Sequence, residues 1–240
     1  MTASRTKATA LDSYDDERYD ATPFLPRRGG LSAHRRAAAD CRGCPLHRHA
    51  SGTVFGRGPA HARLMLVGEQ PGDREDQEGK AFVGPAGRLL SRALRDAGVD
   101  EEDVYLTNAV KHFKFTQAET RKRRIHKAPS LRETLACRPW LLAELRLVSP
   151  AVIVTLGATA GRALLGSSFR VGTDRGVPQP LPDLVGGQDG GKADGLADGV
   201  QVLPTVHPSA VLRSRDRKEM YEGLVADLRT AADVLEDTAG

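Results

Sequence analysis

The sequence predicts an α/β fold, a three-layer α/β/α sandwich with a central, mainly parallel four-stranded sheet. Short apolar runs alternate along the chain with longer segments in which leucine and alanine recur at helical spacing. Strands that alternate with helices require crossover connections, which give a parallel sheet covered by helices on both faces. With 240 residues, of which 40% are hydrophobic, the chain is long enough for one such domain.

The expected elements follow in chain order. Residues 1–30 are polar and lack apolar periodicity, so we expect a flexible tail and then a folded domain over residues 31–240. Buried strands are expected at 63–68, 104–110, 151–157 and 201–206. Long helices are expected at 85–97, 130–148 and 215–236, with Ser130 and Glu133 at the spacing of a capping box. A stretch rich in glycine and aspartate, at about 182–199, is expected to be a flexible insertion.

Charge and cysteine content narrow the classes of protein to which this sequence can belong. The chain carries 35 Lys and Arg against 31 Asp and Glu, which fits an anionic partner such as nucleic acid without requiring one. No apolar run reaches the roughly 18 residues of a membrane helix, and the N-terminus lacks the apolar segment of a secretory signal. Three cysteines, an odd number, argue against a disulfide framework. We therefore expect a cytoplasmic chain that uses cysteine as a ligand or as a small buried side chain, and, since nothing in the sequence indicates an oligomer, a monomer.

The cysteines suggest a metal site. Cys41 and Cys44 have the spacing of a chelating pair, and Cys137 is the remaining thiol. His112, at the end of the second expected strand, is the candidate fourth ligand. This set is an accepted structural zinc site, and it could also hold a cubane iron–sulfur cluster, which usually takes four cysteines. Spacing alone favours zinc, and the simpler alternative is a core cysteine at 137 with an ordinary polar histidine at 112.

Polar residues follow three of the expected strands. In an open parallel sheet the ligand site lies at the carboxyl ends of the strands, which brings together residues 68–73, residues 108–112 and His207. A plain glycine turn with solvated carboxylates is the simpler interpretation of residues 68–73. Phe82 precedes the first long helix in a glycine-flanked loop, where it could stack on a planar base. Packing against the start of that helix is the simpler role for this ring.

A basic segment, Lys-Arg-Arg-Ile-His-Lys at residues 122–127, separates His112 from Cys137. Its simplest interpretation is a solvated loop. The functional alternative is a loop held against the phosphate backbone by its Lys and Arg side chains, which would place His126 beside the sugar. Arg213, after the last expected strand, stands where a side chain could wedge into DNA.

Together these motifs resemble the uracil-DNA glycosylase superfamily, and within it the iron–sulfur branch. The resemblance covers roughly residues 35 to 232, and five motifs occur in the same order as in the family. They are Gly68-Glu-Gln-Pro-Gly72, Gly79-Lys-Ala-Phe-Val-Gly84, Asn108-Ala-Val-Lys111, Ala136-Cys137-Arg-Pro139 and His207-Pro-Ser-Ala210.

Two departures from the usual iron–sulfur members resemble the UdgX-type subgroup. The usual members carry a cysteine where this chain has His112, and they lack the basic segment that contains His126. The resemblance therefore implies a [4Fe-4S] cluster, against the zinc preference, with the ligands Cys41, Cys44, His112 and Cys137. It also implies that His126 becomes covalently attached to the DNA product, so that each molecule acts once.

The same resemblance implies how uracil in DNA would be recognised. Phe82 would stack on the flipped base, Asn108 would bind its Watson–Crick edge, and His207 would donate a hydrogen bond to the departing base. Gln70 and Asp73 would shape the uracil pocket.

Further roles concern the histidine and the DNA backbone. Glu69 would orient or deprotonate His126, and Asp76 would hold the basic loop. DNA contacts are expected from Lys111, Lys122, Arg123, Arg124, Ser209 and Arg213, with single-stranded DNA as the preferred substrate. Two alternatives stay open: a turnover uracil-DNA glycosylase without a covalent product, and a non-catalytic nucleic-acid-binding module with a structural zinc.

Overall fold

Seven strands and eight helices occur in the part of the chain that the computed structural model describes, residues 19–117, 124–182 and 199–238. The strands are β1 (Leu64–Gly68), β2 (Val104–Asn108), β3 (Phe115–Gln117), β4 (Arg124–His126), β5 (Val152–Leu156), β6 (Gln179–Pro180) and β7 (Gln201–Thr205). The helices are α1 (Leu31–Ala38), α2 (Asp73–Glu78), α3 (Pro85–Asp96), α4 (Leu131–Val148), α5 (Ala158–Leu165), α6 (Val171–Asp174), α7 (Pro208–Arg213) and α8 (Arg217–Asp237).

The central sheet has five strands in the order β2–β1–β5–β7–β6. The four predicted strands are parallel to one another, which confirms the predicted α/β class. The predicted number of strands was one too small, because β6 joins the edge of the sheet antiparallel to β7. This strand is only two residues long and contains a proline, so no alternating pattern could reveal it.

Side chains of β1 show how the three layers are built. Leu64 and Leu66 pack with buried leucines of α3 and α8, whereas Met65 and Val67 pack with buried side chains of α4 and α5. Alternate residues of a strand point to opposite faces of its sheet, so each face has its own apolar core. A strand that is buried on both faces has apolar side chains at nearly every position, which is the pattern seen in the sequence.

Helix α4 begins with the predicted capping box. The Ser130 hydroxyl oxygen accepts a hydrogen bond from the Glu133 amide, and the Glu133 carboxylate accepts one from the Ser130 amide at 2.6 Å. Helix α2 was not predicted, because its six residues are nearly all charged and carry no apolar periodicity.

The folded part of the chain begins before the predicted boundary at residue 31. Ala21 is buried, and its amide donates a hydrogen bond to the carbonyl of Ala136 in α4 at 3.0 Å. Tyr19 and Phe24 pack against the same apolar cluster. Residues 1–18, and residues 183–198 of the predicted insertion, lie outside the described residues. No helix in the described ranges is both long enough and apolar enough to cross a membrane.

Candidate active site

The side chains of Asn108 and Phe82 meet at Gly68, where β1 ends. Gly68 pairs with Asn108 across the parallel strands, so both residues lie at the carboxyl edge of the sheet. A Cβ atom on Gly68 would lie 2.4 Å from Asn108 Oδ1 and 2.7 Å from Phe82 Cζ. Only glycine therefore leaves room for the carboxamide and the aromatic ring to approach each other here. The sequence predicted that Asn108 would lie near residues 68–73 at the carboxyl ends of the strands. The structure shows that Phe82 lies there as well.

Phe82 occupies an unusual backbone conformation. Its φ angle is 55°, in the left-handed region that costs a side-chain-bearing residue about 1–3 kcal/mol. Helix α3 approaches it so closely that a Cβ on Gly87 would lie 2.1 Å from the Phe82 carbonyl oxygen. The ring is buried among apolar side chains, with its edge at Gly68. The ring thus packs against the fold and also borders the position of Asn108.

The predicted basic loop forms a β-hairpin. Strands β3 and β4 are antiparallel, with Phe115 opposite His126. Arg124 binds two carboxylates of α2, with Nε 2.5 Å from Asp73 Oδ1 and Nη1 2.5 Å from Asp76 Oδ2. The Asp76 carboxylate is fully buried, whereas that of Asp73 is 46% exposed. Lys122 and Arg123 lie outside the described residues.

Gln70 binds both ends of this hairpin. Its side-chain amide donates to the Lys114 carbonyl at 3.2 Å and to the Lys127 carbonyl at 3.0 Å. Its carbonyl oxygen accepts from the Lys114 amide at 3.1 Å. Both donor positions of the Gln70 amide are therefore used within the protein. Gln70 was expected in the uracil pocket. In the structure its side chain joins the two ends of the hairpin.

His126 lies against Glu69 at the strand-end crevice. His126 Nε2 is 3.4 Å from Glu69 Oε1, and the other carboxylate oxygen of Glu69 accepts a hydrogen bond from the Thr159 hydroxyl. Burial lowers the pKa of His126 from its ordinary value, and the charge of Arg213 adds to this, although Glu69 acts in the opposite sense. The imidazole is about half exposed and is neutral at neutral pH.

His207 lies at the N-terminus of α7, directly after β7, and its ring tautomer is set by its neighbours. The Ser209 amide donates to His207 Nδ1 at 3.1 Å, and the Ser209 hydroxyl oxygen lies 2.8 Å from the same nitrogen. An amide can only donate, so Nδ1 is unprotonated and the neutral ring carries its proton on Nε2. Burial, with Arg213 and His126, lowers the pKa of His207 to about 4.

The DNA contacts predicted for this end of the sheet have mixed outcomes. Ser209 bonds to His207, while Arg213 is exposed and within electrostatic range of both histidines. The Lys111 side chain is only 1% exposed, and its ammonium group contacts the buried Glu144 carboxylate. The expectation that Lys111 contacts DNA is therefore wrong in this structure, because its ammonium group does not reach the surface.

The three cysteines lie together in one buried cluster with Trp140 and Phe55. The Trp140 indole N–H donates to Cys41 Sγ and the Lys111 amide donates to Cys137 Sγ, both at 3.2 Å. Burial, with a smaller contribution from the neighbouring thiols, raises the pKa of the Cys44 thiol to about 11 and that of Cys137 to about 12. Thiols in such a place are neutral unless a metal group supplies positive charge.

His112 directly follows Lys111, whose amide contacts Cys137 of this cluster. It is buried, and burial with the nearby His47 lowers its pKa to about 4, while Asp76 acts to raise it. His47 in turn contacts the Cys44 carbonyl oxygen through Nδ1 at 2.7 Å. In the described ranges no three His, Cys, Asp or Glu side chains converge on a point that would hold one metal ion.

The chemistry of this donor set suits an iron–sulfur cubane. The cubane takes each ligand on a different iron atom, so its ligands surround a cluster and do not converge on a single ion. Thiolates at such clusters accept N–H hydrogen bonds, as Cys41 and Cys137 do here. His112 is held neutral, which is the form of imidazole that binds metals.

Two residues of the site were missed by the sequence reasoning. Thr159 bonds to Glu69 from the first turn of α5 and has no distinctive motif. Glu144 did have a signal, because it follows Cys137 and Trp140 at helical spacing on one face of α4. A carboxylate on the buried face of a helix must have partners, and it could have been singled out on that ground.

The sequence also matches known proteins. A sequence model described as the uracil DNA glycosylase superfamily matches residues 55–229. A type-4 uracil-DNA glycosylase of Thermotoga maritima is 36% identical over 80% of this chain and 87% of its own length. Type-4 uracil-DNA glycosylases of Pyrobaculum aerophilum and Archaeoglobus fulgidus are 34% and 32% identical, over 72% and 78% of this chain and 80% and 85% of their own lengths.

Proposed function

The chain belongs to the uracil-DNA glycosylase superfamily, and on that premise we propose that it excises uracil from DNA and then binds the abasic product covalently through His126. The first half of this proposal is the activity for which the similar type-4 enzymes are named. The observation that carries the second half is the placement of a neutral His126 against Glu69, in a hairpin anchored to the same crevice. Such a product corresponds to the UdgX-type subgroup and makes the enzyme single-turnover.

Recognition of the base uses the residues at the ends of β1 and β2. Uracil leaves the DNA stack and enters the crevice, where Phe82 stacks on its face. The Asn108 carboxamide offers one acceptor and one donor to the Watson–Crick edge of uracil. Cytosine presents the opposite pattern at this edge, so a carboxamide held in this one orientation excludes it. We also propose that Asp73, which binds Arg124 of the hairpin, helps to shape this pocket.

Departure of the base is assisted by His207. As the bond between C1′ and N1 breaks, its electron pair leaves with uracil and negative charge develops on the carbonyl oxygen. The neutral His207 ring carries its proton on Nε2, so this N–H is the donor that stabilises the departing base. The Ser209 amide fixes this tautomer, and Arg213 supplies positive charge near the DNA.

The covalent step follows at C1′. A ring nitrogen of His126 donates its lone pair to the oxocarbenium-like carbon, and the resulting imidazolium passes a proton to Glu69. An ordinary glycosylase lets water attack this carbon. A group held in contact can reach an effective molarity of about 10⁵ M or more, which lets His126 outcompete water.

We further propose that Cys41, Cys44, His112 and Cys137 hold a [4Fe-4S] cluster. The type-4 relatives belong to the iron–sulfur branch of the superfamily. A cluster held by these residues would cross-link the N-terminal segment to α4 and to the segment after β2, and we propose that its role would be structural, without a redox step in excision. Purified protein with iron, sulfide and a visible absorption band would support the cluster, whereas stoichiometric zinc would contradict it.

The decisive experiment is a denaturing gel. Purified protein is mixed with single-stranded DNA that contains one uracil, our proposed preferred substrate, because the base there is already unpaired. A protein–DNA band that survives heat and detergent, at no more than one adduct per monomer, supports the full proposal. Free DNA with an abasic site would leave a turnover glycosylase. DNA that is bound but never loses uracil would leave a non-catalytic binding module.

Adduct formation is expected to slow as the pH falls below about 6.5, the ordinary pKa of histidine. The pKa of His126 lies below that value because burial outweighs the opposing charge of Glu69. The neutral, nucleophilic form therefore predominates above pH 6.5 and is lost as pH falls through the folded-state pKa. Single-turnover adduct rates on preformed complexes measure this dependence. A rate that rises towards acid pH would contradict a neutral His126 nucleophile.

Asp76→Asn is expected to lower the adduct yield about tenfold, and Asp73→Asn by much less. Both carboxylates bind Arg124, but that of Asp76 is buried and its contact is not screened by water. Asp76 also accepts hydrogen bonds from the amide and hydroxyl of Ser51. Adduct yields of both variants, quantified on denaturing gels, test this difference. Equal yields in the two variants would show that the buried contact does not position the hairpin.

A further inference from the structure

Glu144 is a fully buried carboxylate with a complete set of donors. Its Oε1 accepts from the Gly56 amide at 2.9 Å and from the Tyr105 hydroxyl at 3.0 Å. Its Oε2 accepts from the Thr107 hydroxyl at 2.8 Å and from the Lys111 ammonium group. Helix α4, strand β2 and the loop before β1 are therefore joined at one carboxylate.

Lys111 extends this network to the base-recognition residue. Its ammonium group donates to the Asn108 carbonyl at 2.7 Å and to the Thr107 hydroxyl oxygen at 2.8 Å, in addition to Glu144. All three N–H donors of the ammonium group are thus used. The Lys111 amide also donates to Cys137 Sγ, so one residue contacts both the thiol cluster and the end of β2.

We propose that Thr107, Lys111 and Glu144 are positioning residues that hold the Asn108 main chain, and thereby its carboxamide, in register with the flipped uracil. This inference rests on the proposed function. Asn108 has little free space, because a Cβ on Gly68 would already lie 2.4 Å from its side-chain oxygen. A displacement of about 1 Å at a recognition group can cost a hundredfold in rate. Anchoring its carbonyl to a buried ion pair restrains that displacement.

The sheet offers a matched control for this network. Thr107 in β2 and Thr155 in β5 both pair with Val67 of β1, one on each side. Both threonines are fully buried. The Thr107 hydroxyl lies in the network, whereas among the described residues that of Thr155 has no hydrogen-bond partner. Thr→Val therefore makes the same change in shape at both places and breaks the network at only one.

The experiment measures single-turnover uracil release by the holoenzyme on single-stranded DNA. Thr107→Val is expected to lower the maximal rate about tenfold or more with little change in DNA affinity, since the phosphate contacts are untouched. Thr155→Val is expected to keep the wild-type rate. Thr107→Ser retains a hydroxyl and is expected to recover most of the loss. Thermal unfolding of each variant shows whether the rates belong to folded protein.

Equal rates for the two valine variants, or no recovery with serine, would overturn the inference. If the wild type releases no uracil at all, the proposed function fails, and the network is then tested by a measurement that needs no enzymatic activity. The side-chain amide resonances of Asn108 in the free protein are then compared. A shift in Thr107→Val but not in Thr155→Val supports positioning, and unchanged resonances in both variants overturn it.

Discussion

Replacement of His126 by alanine is expected to abolish the heat-stable protein–DNA band and to leave uracil release measurable. The residues proposed to recognise and release the base, Phe82, Asn108 and His207, lie on other elements than the β4 strand that carries His126. Removal of the imidazole leaves space in which water can reach C1′. The product then becomes a free abasic site, as in a conventional glycosylase. A denaturing gel and an alkali-cleavage assay on the same samples separate the two outcomes.

His61→Ala is the control for this experiment. His61 is exposed in the loop before β1, far along the chain from the hairpin, and it takes no part in the proposed site. Its replacement should leave both the adduct and base release at the wild-type level. An adduct that persists in His126→Ala would identify another nucleophile. Loss of base release together with the adduct would show that His126 is needed for excision itself.

The location of the crevice could be predicted because it follows from topology. Parallel strands place their carboxyl ends at one edge, so Gly68, Asn108 and His207 had to lie near one another once the strands were identified. The apolar runs of these strands are strong signals because each is buried on both faces. The parts of the site that depend on regular secondary structure were thus visible in the sequence.

The hairpin could not be predicted in the same way. Its strands are three residues each, mix apolar with polar and charged side chains, and are held by contacts from distant segments. Gln70 binds Lys114 and Lys127, and Arg124 binds Asp73 and Asp76; such pairings have no periodic signature. Resemblance therefore suggested a role for His126, but the sequence did not predict the hairpin that holds it.

Lys111 shows a second limit of prediction from sequence. A lysine after a strand in a basic protein is ordinarily exposed, and a DNA contact was the natural expectation. Its burial is decided by Glu144, which lies 33 residues away on α4. Only the three-dimensional packing brings these opposite charges together, and a buried charge is tolerated only when it is paired and hydrogen-bonded.

His207→Ala is expected to slow uracil release about 10²–10³-fold, the usual cost of removing one preorganised donor to a developing anion. The Ser209 amide occupies Nδ1, so the neutral ring has its only N–H at Nε2, where the departing base needs a donor. The pKa of about 4 keeps the ring in this neutral form at neutral pH. Single-turnover excision rates measure the effect, and adduct formation should fall in parallel because the base must leave first.

Ser209→Ala tests whether the amide or the hydroxyl of Ser209 sets the tautomer of His207. The variant removes the hydroxyl near His207 Nδ1 but keeps the backbone amide that donates to the same nitrogen. Because the amide alone is enough to exclude a proton from Nδ1, the excision rate should change only a few-fold. A loss as large as that of His207→Ala would show that the hydroxyl sets the tautomer. A wild-type rate in His207→Ala would instead show that the departing uracil needs no donor from this ring.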